Sequence, residues 1–327
     1  MIAVTGAAGF VGSHLVRALN ERGRGQVLAV DDLARGRQFR NLADCEILDL
    51  LEPEEFLDQL ESGALGRVEA VLHQGACTDT MEWDGRRMLR ANYAYSKRLL
   101  GLCDAQRIPL IYASSAAVYG TGREFRIDPA CERPVNLYAY SKLLFDRHLR
   151  QRRAKLRCPV VGLRYFNVYG PREQHKGRMA SIVYQLYRQL QAGSRLRLFG
   201  EYGGCAPGEQ RRDFVWVGDV AAVNLWFLEH PEHSGLFNLG TGRAQSFNEV
   251  AQALIAHAGR GEIEYRDFPE ELVGRYQVFT CADLSELRAA GYTAPFLSVQ
   301  EGVPRYLSWL EKHGGEEDSA GTEPSAT

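Results

Sequence analysis

Nothing in the 327 residues pairs cysteines. The seven (Cys45, Cys77, Cys103, Cys131, Cys158, Cys205, Cys281) are odd in number and scattered, with no Cys-x-x-Cys. That excludes a disulfide framework or a structural zinc site and points to a reducing compartment. Long apolar runs are missing as well: none reaches the ~18 residues of a membrane span. The opening strand is broken at once by glycines with no basic segment before it, so a cytoplasmic protein with no membrane partner is expected. Charge of one sign is also lacking, with 39 Lys and Arg against 41 Asp and Glu. No global basic field exists to recruit nucleic acid, which leaves small charged ligands as partners. There is no internal repeat, and the only low-complexity stretch is 314–327, whose Gly, Glu, Ser and Thr cannot build a core; a disordered tail is expected over 313–327. The remainder, in a chain 45% hydrophobic, suffices for one large α/β domain or two lobes.

What is present begins with a strand over 1–5 that runs into Gly6-Ala-Ala-Gly9-Phe10-Val11-Gly12, followed by helical spacing over 13–22 at Leu15, Val16 and Leu19. In a dinucleotide fold the first glycine permits the tight turn, the second admits a pyrophosphate to backbone N–H groups, and the third lets helix pack on strand. A second strand, 27–30, ends at Asp31, where a ribose-binding carboxylate is expected. Further strand-then-helix signals follow at 70–73, with a helix around 87–103, and at 110–113. This alternation predicts a Rossmann-like, doubly wound parallel sheet with ligands at the carboxyl ends of its strands. Gly75-Ala76-Cys77 would lie against the cofactor, and Asn92 is either a buried helix-to-loop tie or a strut for the active site.

The expected chemical centre is Tyr138-Ala-Tyr-Ser-Lys142, at the start of a helix over 138–149. Residues at i and i+4 share a face, so phenol and ammonium reach one site. An adjacent cation favours phenolate, which would make Tyr138 a usable acid/base near neutral pH. Ser115 follows a strand and would face Tyr138, where its hydroxyl could donate to a forming alkoxide or carbonyl; Ser114 and Ser115 could equally cap a turn. Beyond a strand over 160–163, Gly170-Pro171 marks a change of lobe. A helix over 179–191, a glycine-rich loop over 200–208, strand then helix over 215–229, a strand over 236–239 and helices over 247–257 and 283–290 follow. Arg212 suits a phosphate or a solvated salt-bridged edge. The expected division is 1–168 plus about 212–240 for the nucleotide domain and about 169–211 plus 241–312 for a smaller mixed α/β substrate lobe.

Gly6-x-x-Gly9-x-x-Gly12, Ser114-Ser115 before Val118-Tyr119-Gly120, Tyr138-x-x-x-Lys142, Arg164-Tyr-Phe-Asn167-Val-Tyr-Gly-Pro171 and Arg212-Asp213-Phe214 together resemble the extended short-chain dehydrogenase/reductase superfamily. Within it, His73-Gln-Gly-Ala-Cys77-Thr, Glu82-Trp83-Asp84-Gly85, the Arg172-Glu-x-His175-Lys176-Gly177-x-Met179-Ala-Ser181 segment and Gly274-Arg275-Tyr276-Gln277 resemble the ADP-L-glycero-D-manno-heptose 6-epimerase family.

That resemblance implies an isomerase that interconverts the C6 epimers of an ADP-linked heptose, a precursor of the lipopolysaccharide inner core, with tightly held NADP regenerated each turnover. It makes Tyr138 one acid/base and Lys176 the second, supported by Lys142 and Ser115. Two are wanted because oxidation at C6 leaves a planar ketone, and inversion moves the oxygen to where it needs its own proton donor. Read without the family, Lys176 is also compatible with a solvated loop lysine. Cofactor contacts are implied at Gly6, Gly9, Phe10, Val11, Gly12, Asp31, Asp32, Gln38, Gln74, Gly75, Ala76, Cys77, Thr78, Asn92, Tyr138, Lys142, Val168 and Lys176. Substrate contacts are implied at Asn167, Arg178, Gln185, Phe199, Gly200, Glu201, Arg212 and Tyr276, and a homo-oligomer is expected. The chain departs from the family at Asp32, Gln38 and Pro53, where an Asn and two lysines are usual, with Arg35 and Arg37 as substitutes for the phosphate. Asp31 and Asp32 would repel a 2′-phosphate, so NADP with NAD tolerated is expected. Gln185 and Arg178 replace a substrate-binding His and a Ser.

Overall fold

The computed structural model describes residues 1–313 other than 35 and 275. Arg35, Arg275 and the tail 314–327 lie outside the described residues. The chain alternates strand and helix from the start. β1 (Ile2–Thr5) leads to α1 (Phe10–Glu21), then β2 (Val27–Val30), β3 (Asp49–Leu51), α2 (Pro53–Ser62) and β4 (Ala70–His73). α3 (Gly85–Leu89), a wide π turn (Arg90–Ala94) and α4 (Tyr95–Gln106) run on as one rod, helical at both junctions. β5 (Leu110–Ser115), α5 (Leu137–Arg152), β6 (Val160–Tyr165) and β7 (Asn167–Tyr169) follow.

Then come α6 (Ile182–Ala192), β8 (Arg195–Phe199), β9 (Arg211–Arg212), β10 (Phe214–Trp216), α7 (Val217–Glu229) and β11 (Gly235–Leu239). The chain closes with β12 (Gln245–Ser246), α8 (Phe247–Ala258), β13 (Glu262–Arg266), α9 (Ser285–Ala289) and α10 (Val299–His313). Compared with the sequence reading, the structure adds β3, α2, β8, β13 and α10, and the helix expected over 179–191 begins at Ile182.

Seven strands form one parallel sheet in the order β11-β6-β5-β4-β1-β2-β3. Successive side chains point to opposite faces, and both faces are covered. Val4, Ala29 and Leu72 pack with Leu15, Val16, Val220 and Val223 of α1 and α7. Their neighbours Ala3, Leu28 and Val71 pack with Leu57, Leu99 and Phe145 of α2, α4 and α5. A separate core lies outside the sheet, built from Val183 and Leu186 of α6, Leu196 and Leu198 of β8, Leu254 of α8 and Leu307 and Leu310 of α10. β8 there pairs in parallel with β13.

Candidate active site

The turn after β1 is built so that only glycine fits. Gly6 has φ 64°, and a Cβ on it would lie 2.6 Å from the Gly75 nitrogen; one on Gly12 would lie 1.9 Å from the Gly6 carbonyl oxygen. Gly9 occupies the N-cap of α1 with no side chain closing the helix end. The free N–H groups and the positive end of the helix dipole therefore face outward, which is an anion site. Asp31, buried at the end of β2, accepts hydrogen bonds from Ala8 N at 3.0 Å and Leu33 N at 3.1 Å. Burial raises its carboxyl above the ordinary range, although both backbone donors oppose this. After β4, Tyr165 donates to Gln74 Oε1, leaving the buried Gln74 Nε2 without a partner among the described residues. A crowded glycine turn, an uncapped helix and an unmet amide donor fit the pyrophosphate and neighbouring groups of a dinucleotide.

α5 carries Tyr138 and Lys142. Asn136 caps it, accepting from Ala139 N at 2.8 Å, and Tyr138, Lys142 and Asp146 recur every four residues on one face. Asp146, fully buried, anchors that face: it accepts from Tyr112 Oη (2.8 Å), Ser114 Oγ (2.9 Å) and Arg164 Nε (2.9 Å). Arg164 also donates to the buried Glu132 at 2.6 Å. The helix is thereby fixed to β5 and β6, and Lys142 Nζ donates to the Ala113 carbonyl at 2.9 Å.

Burial lowers Lys142 to about 8. Burial also raises the Tyr138 phenol, with the hydrogen-bonded Ser115 hydroxyl pulling the other way. The expected depression of Tyr138 by Lys142 is therefore not observed: desolvation dominates the phenol, and the ammonium is engaged by a carbonyl. Ser115 accepts from Ala117 N at 3.1 Å as a cap and also meets the Tyr138 phenol.

Lys176 stands on the 170–181 loop. Its Nζ lies 4.0 Å from the buried Glu173 and 5.0 Å over the Phe10 ring; burial lowers it and Glu173 raises it.

These groups line one cleft of about 1060 Å³ at the carboxyl ends of the strands. It brings together Ser115, Tyr138, Lys142 and Lys176 with Gly6, Gly9, Phe10, Val11, Gly12, Asp31, Asp32, Gln38, Gln74, Gly75, Ala76, Cys77, Thr78, Asn167 and Val168. Asn92 stands behind the lining: its amide accepts from Cys77 N at 2.8 Å and donates to Cys77 O at 2.9 Å and to Ser141. Of its two readings the tie between helix and loop is the one observed. Arg178 is exposed and paired with Asp79 (3.2 Å), and Gln185 donates to the carbonyls of Arg178 and Ala180. Arg212, Tyr276 and Phe199 form a neighbouring cluster. The Arg212 guanidinium lies 4.7 Å over Tyr276 and 5.5 Å over Phe247, and Phe199 meets Tyr276 edge-on at 5.8 Å. Gly200 and Glu201 follow Phe199 at the end of β8.

Sequence reasoning passed over Phe214, Phe247, His175, Arg86, Arg87 and Arg90, all on the cleft wall. The Arg-Arg-x-x-Arg spacing behind the Asp84 cap, which accepts from Arg86 N and Arg87 N, was a signal for the last three.

A sequence model of the NAD dependent epimerase/dehydratase family matches residues 2–240. The chain belongs to that family. Among solved structures, this NAD-dependent epimerase/dehydratase is similar to the Helicobacter pylori ADP-L-glycero-D-manno-heptose-6-epimerase, at 30% identity over 95% of this chain and 96% of that one, with a TM-score of 0.82. It is similar also to a UDP-N-acetylglucosamine 4-epimerase from Methanobrevibacter ruminantium (25%, 95% and 98%, TM-score 0.81). A UDP-glucose 4-epimerase from Thermotoga maritima gives 28% identity, 95% and 98% coverage and a TM-score of 0.79.

Proposed function

We propose that this epimerase inverts C6 of an ADP-linked glycero-manno-heptose, from D-glycero to L-glycero, in the cytoplasmic supply of heptose for the lipopolysaccharide inner core. The observation that carries the reading is a second amine, Lys176, on the same cleft as Tyr138, Lys142 and Ser115, to which we give the second proton transfer; the likeness to the heptose epimerase supports it. A nicotinamide dinucleotide, held by the glycine turn and Gln74, would supply reversible hydride acceptance for the sugar carbon.

The chain's own groups manage the protons. Tyr138 Oη accepts the hydroxyl proton in one configuration, with Ser115 beside it, and Lys176 Nζ serves the oxygen in the other. Lys142 holds the face of α5 toward the strand end, and the glycine turn with Gln74 holds the dinucleotide. Arg212, desolvated between Tyr276 and Phe247, suits the charged nucleotide part of the substrate, its guanidinium able to grip phosphate in a fork. NADP is the proposed cofactor, with NAD tolerated.

The test is incubation of the purified chain and one equivalent of NADP with each ADP-heptose epimer, followed by separation of the two. Interconversion is expected. Inertness toward both heptoses together with C4 inversion of a UDP-hexose would replace this reading with that of the 4-epimerase neighbours.

A further inference from the structure

The Asn41 side chain meets both the dinucleotide turn and the 170–181 loop that carries Lys176. We propose that Asn41 is a positioning residue, whose amide joins the Ala8 carbonyl of the glycine turn to Arg172 and His175 and so sets where Lys176 stands when the turn is loaded. This rests on the role given to Lys176 above.

Asn41 ends a 3-10 turn (Gly36–Asn41) and is 8% exposed. Its Nδ2 lies 2.9 Å from Ala8 O, 3.1 Å from Arg172 O and 3.2 Å from His175 Nδ1. Two carbonyl oxygens can only accept, so this end of the side chain is the NH2 group, whose two hydrogens match the Ala8 and Arg172 carbonyls, with His175 Nδ1 close beside them. The Ala8 peptide is thereby held on both sides, its N–H by Asp31 and its C=O by Asn41.

The tie is returned from the other side. Arg172 donates from Nη1 to Asn41 O at 2.5 Å and from Nη2 to Asp44 Oδ2 at 2.6 Å. Arg172 has φ 68°, a region few non-glycine residues adopt and one kept only where surroundings over-determine the backbone. Next to Arg172, the buried Glu173 joins the two ends of the loop, accepting from Ser181 N (2.5 Å), Ser181 Oγ (2.6 Å) and Gly170 N (3.3 Å). Lys176 sits between these two fastenings, over Phe10 at the start of α1. An ordinary buried asparagine would stabilise one loop; this one spans two loops that each hold a working group.

Asn41→Asp keeps the shape and replaces the donors by an oxygen facing two carbonyls. Amide hydrogen exchange of 172–181 with and without NADP is the first readout. In the native chain NADP should slow exchange in this segment as well as in the glycine turn. In Asn41→Asp, NADP should still bind within about tenfold, while the slowing over 172–181 is lost. In turnover of ADP-heptose, kcat should fall about 10- to 100-fold with KM within about threefold, the pattern of a misplaced group and not of lost binding. Added to Lys176→Met, Asn41→Asp should cost nothing further, since both act through one ammonium.

Equal NADP-dependent protection of 172–181 in the native and variant chains, or multiplying losses in the double variant, would overturn the proposal. The exchange arm uses no sugar: lost protection alongside a native chain inert to heptose keeps Asn41 as the link and rejects the substrate reading instead. Should Asn41→Asp not fold, Arg172→Gly, which takes φ 68° without strain and deletes the return bonds, meets the same criteria.

Discussion

Burial acts in opposite directions on the two groups of the Tyr138/Lys142 pair. It raises the phenol and lowers the ammonium to about 8 from an ordinary 10.5, because in each case the charged form is the one disfavoured. For Lys142 the folded value lies below the unfolded one. The folded state therefore carries a penalty that is complete below pH 8 and is shed as pH rises toward 10.5. Replacing Lys142 by Met removes that dependence, so the stability of the native chain relative to Lys142→Met should rise by about 3 kcal/mol across this window, read from denaturant unfolding at each pH. A flat difference would mean the lysine is better solvated than its surroundings indicate.

Tyr138→Phe and Lys176→Met should each retain the fold and slow epimerisation by at least ~10²-fold, measured at saturating substrate. Native turnover by Lys176→Met would return that residue to a loop lysine. The spacing of Tyr138 and Lys142 was legible because i and i+4 share a helix face whatever the surroundings. The sign of the phenol's shift was not, because it depends on how deeply the fold buries the oxygen and on Ala113 taking the ammonium.

At the scale of elements, the rod from 85 to 106 shows what periodicity leaves out. The sequence announces a helix there, but the π turn at Arg90–Ala94 depends on a tertiary partner: Asn92 meets both backbone groups of Cys77, and π bulges commonly mark such sites. Asn92→Ala strands those groups and should lower stability by about 1–3 kcal/mol and weaken dinucleotide binding, as seen in thermal unfolding and cofactor titration. An unchanged cofactor affinity would separate the turn from the site. β8 was readable in principle, since Arg195-Leu-Arg-Leu alternates outward and inward, yet its partner β13 comes some sixty residues later. α10 hides behind Pro304, ordinarily a helix breaker; here Val303, Tyr306, Leu307 and Leu310 buried in the outer core hold the helix through it.

For the molecule as a whole, the parallel sheet and the strand-end location of the cleft followed from the βα alternation, and the turn after β1 from its three glycines. An epimerase returns its hydride within each turnover, so product should continue to form with a single bound equivalent of NAD(P); stoichiometric reduced cofactor in solution would indicate a dehydrogenase. With two carboxylates at the end of β2, NADP should be preferred by less than about a hundredfold over NAD in competitive titration. A hundredfold preference for NAD would remove the 2′-phosphate from the account.

The order of strands has one further consequence, for truncation. The family match ends at residue 240, just after β11 completes the sheet beside β6, and a chain cut there keeps all seven strands. By then the polypeptide has already left the sheet and come back, laying down α6 and β8, whose Val183, Leu186, Leu190, Leu196 and Leu198 are covered by α8 and α10 from the missing part. Such a fragment would expose a broad apolar face and should aggregate; it also loses Leu287, Tyr292 and Phe296 from the core on the sheet. The two regions are separate cores joined by a chain that passes back and forth between them, so neither can be cut away without unroofing the other.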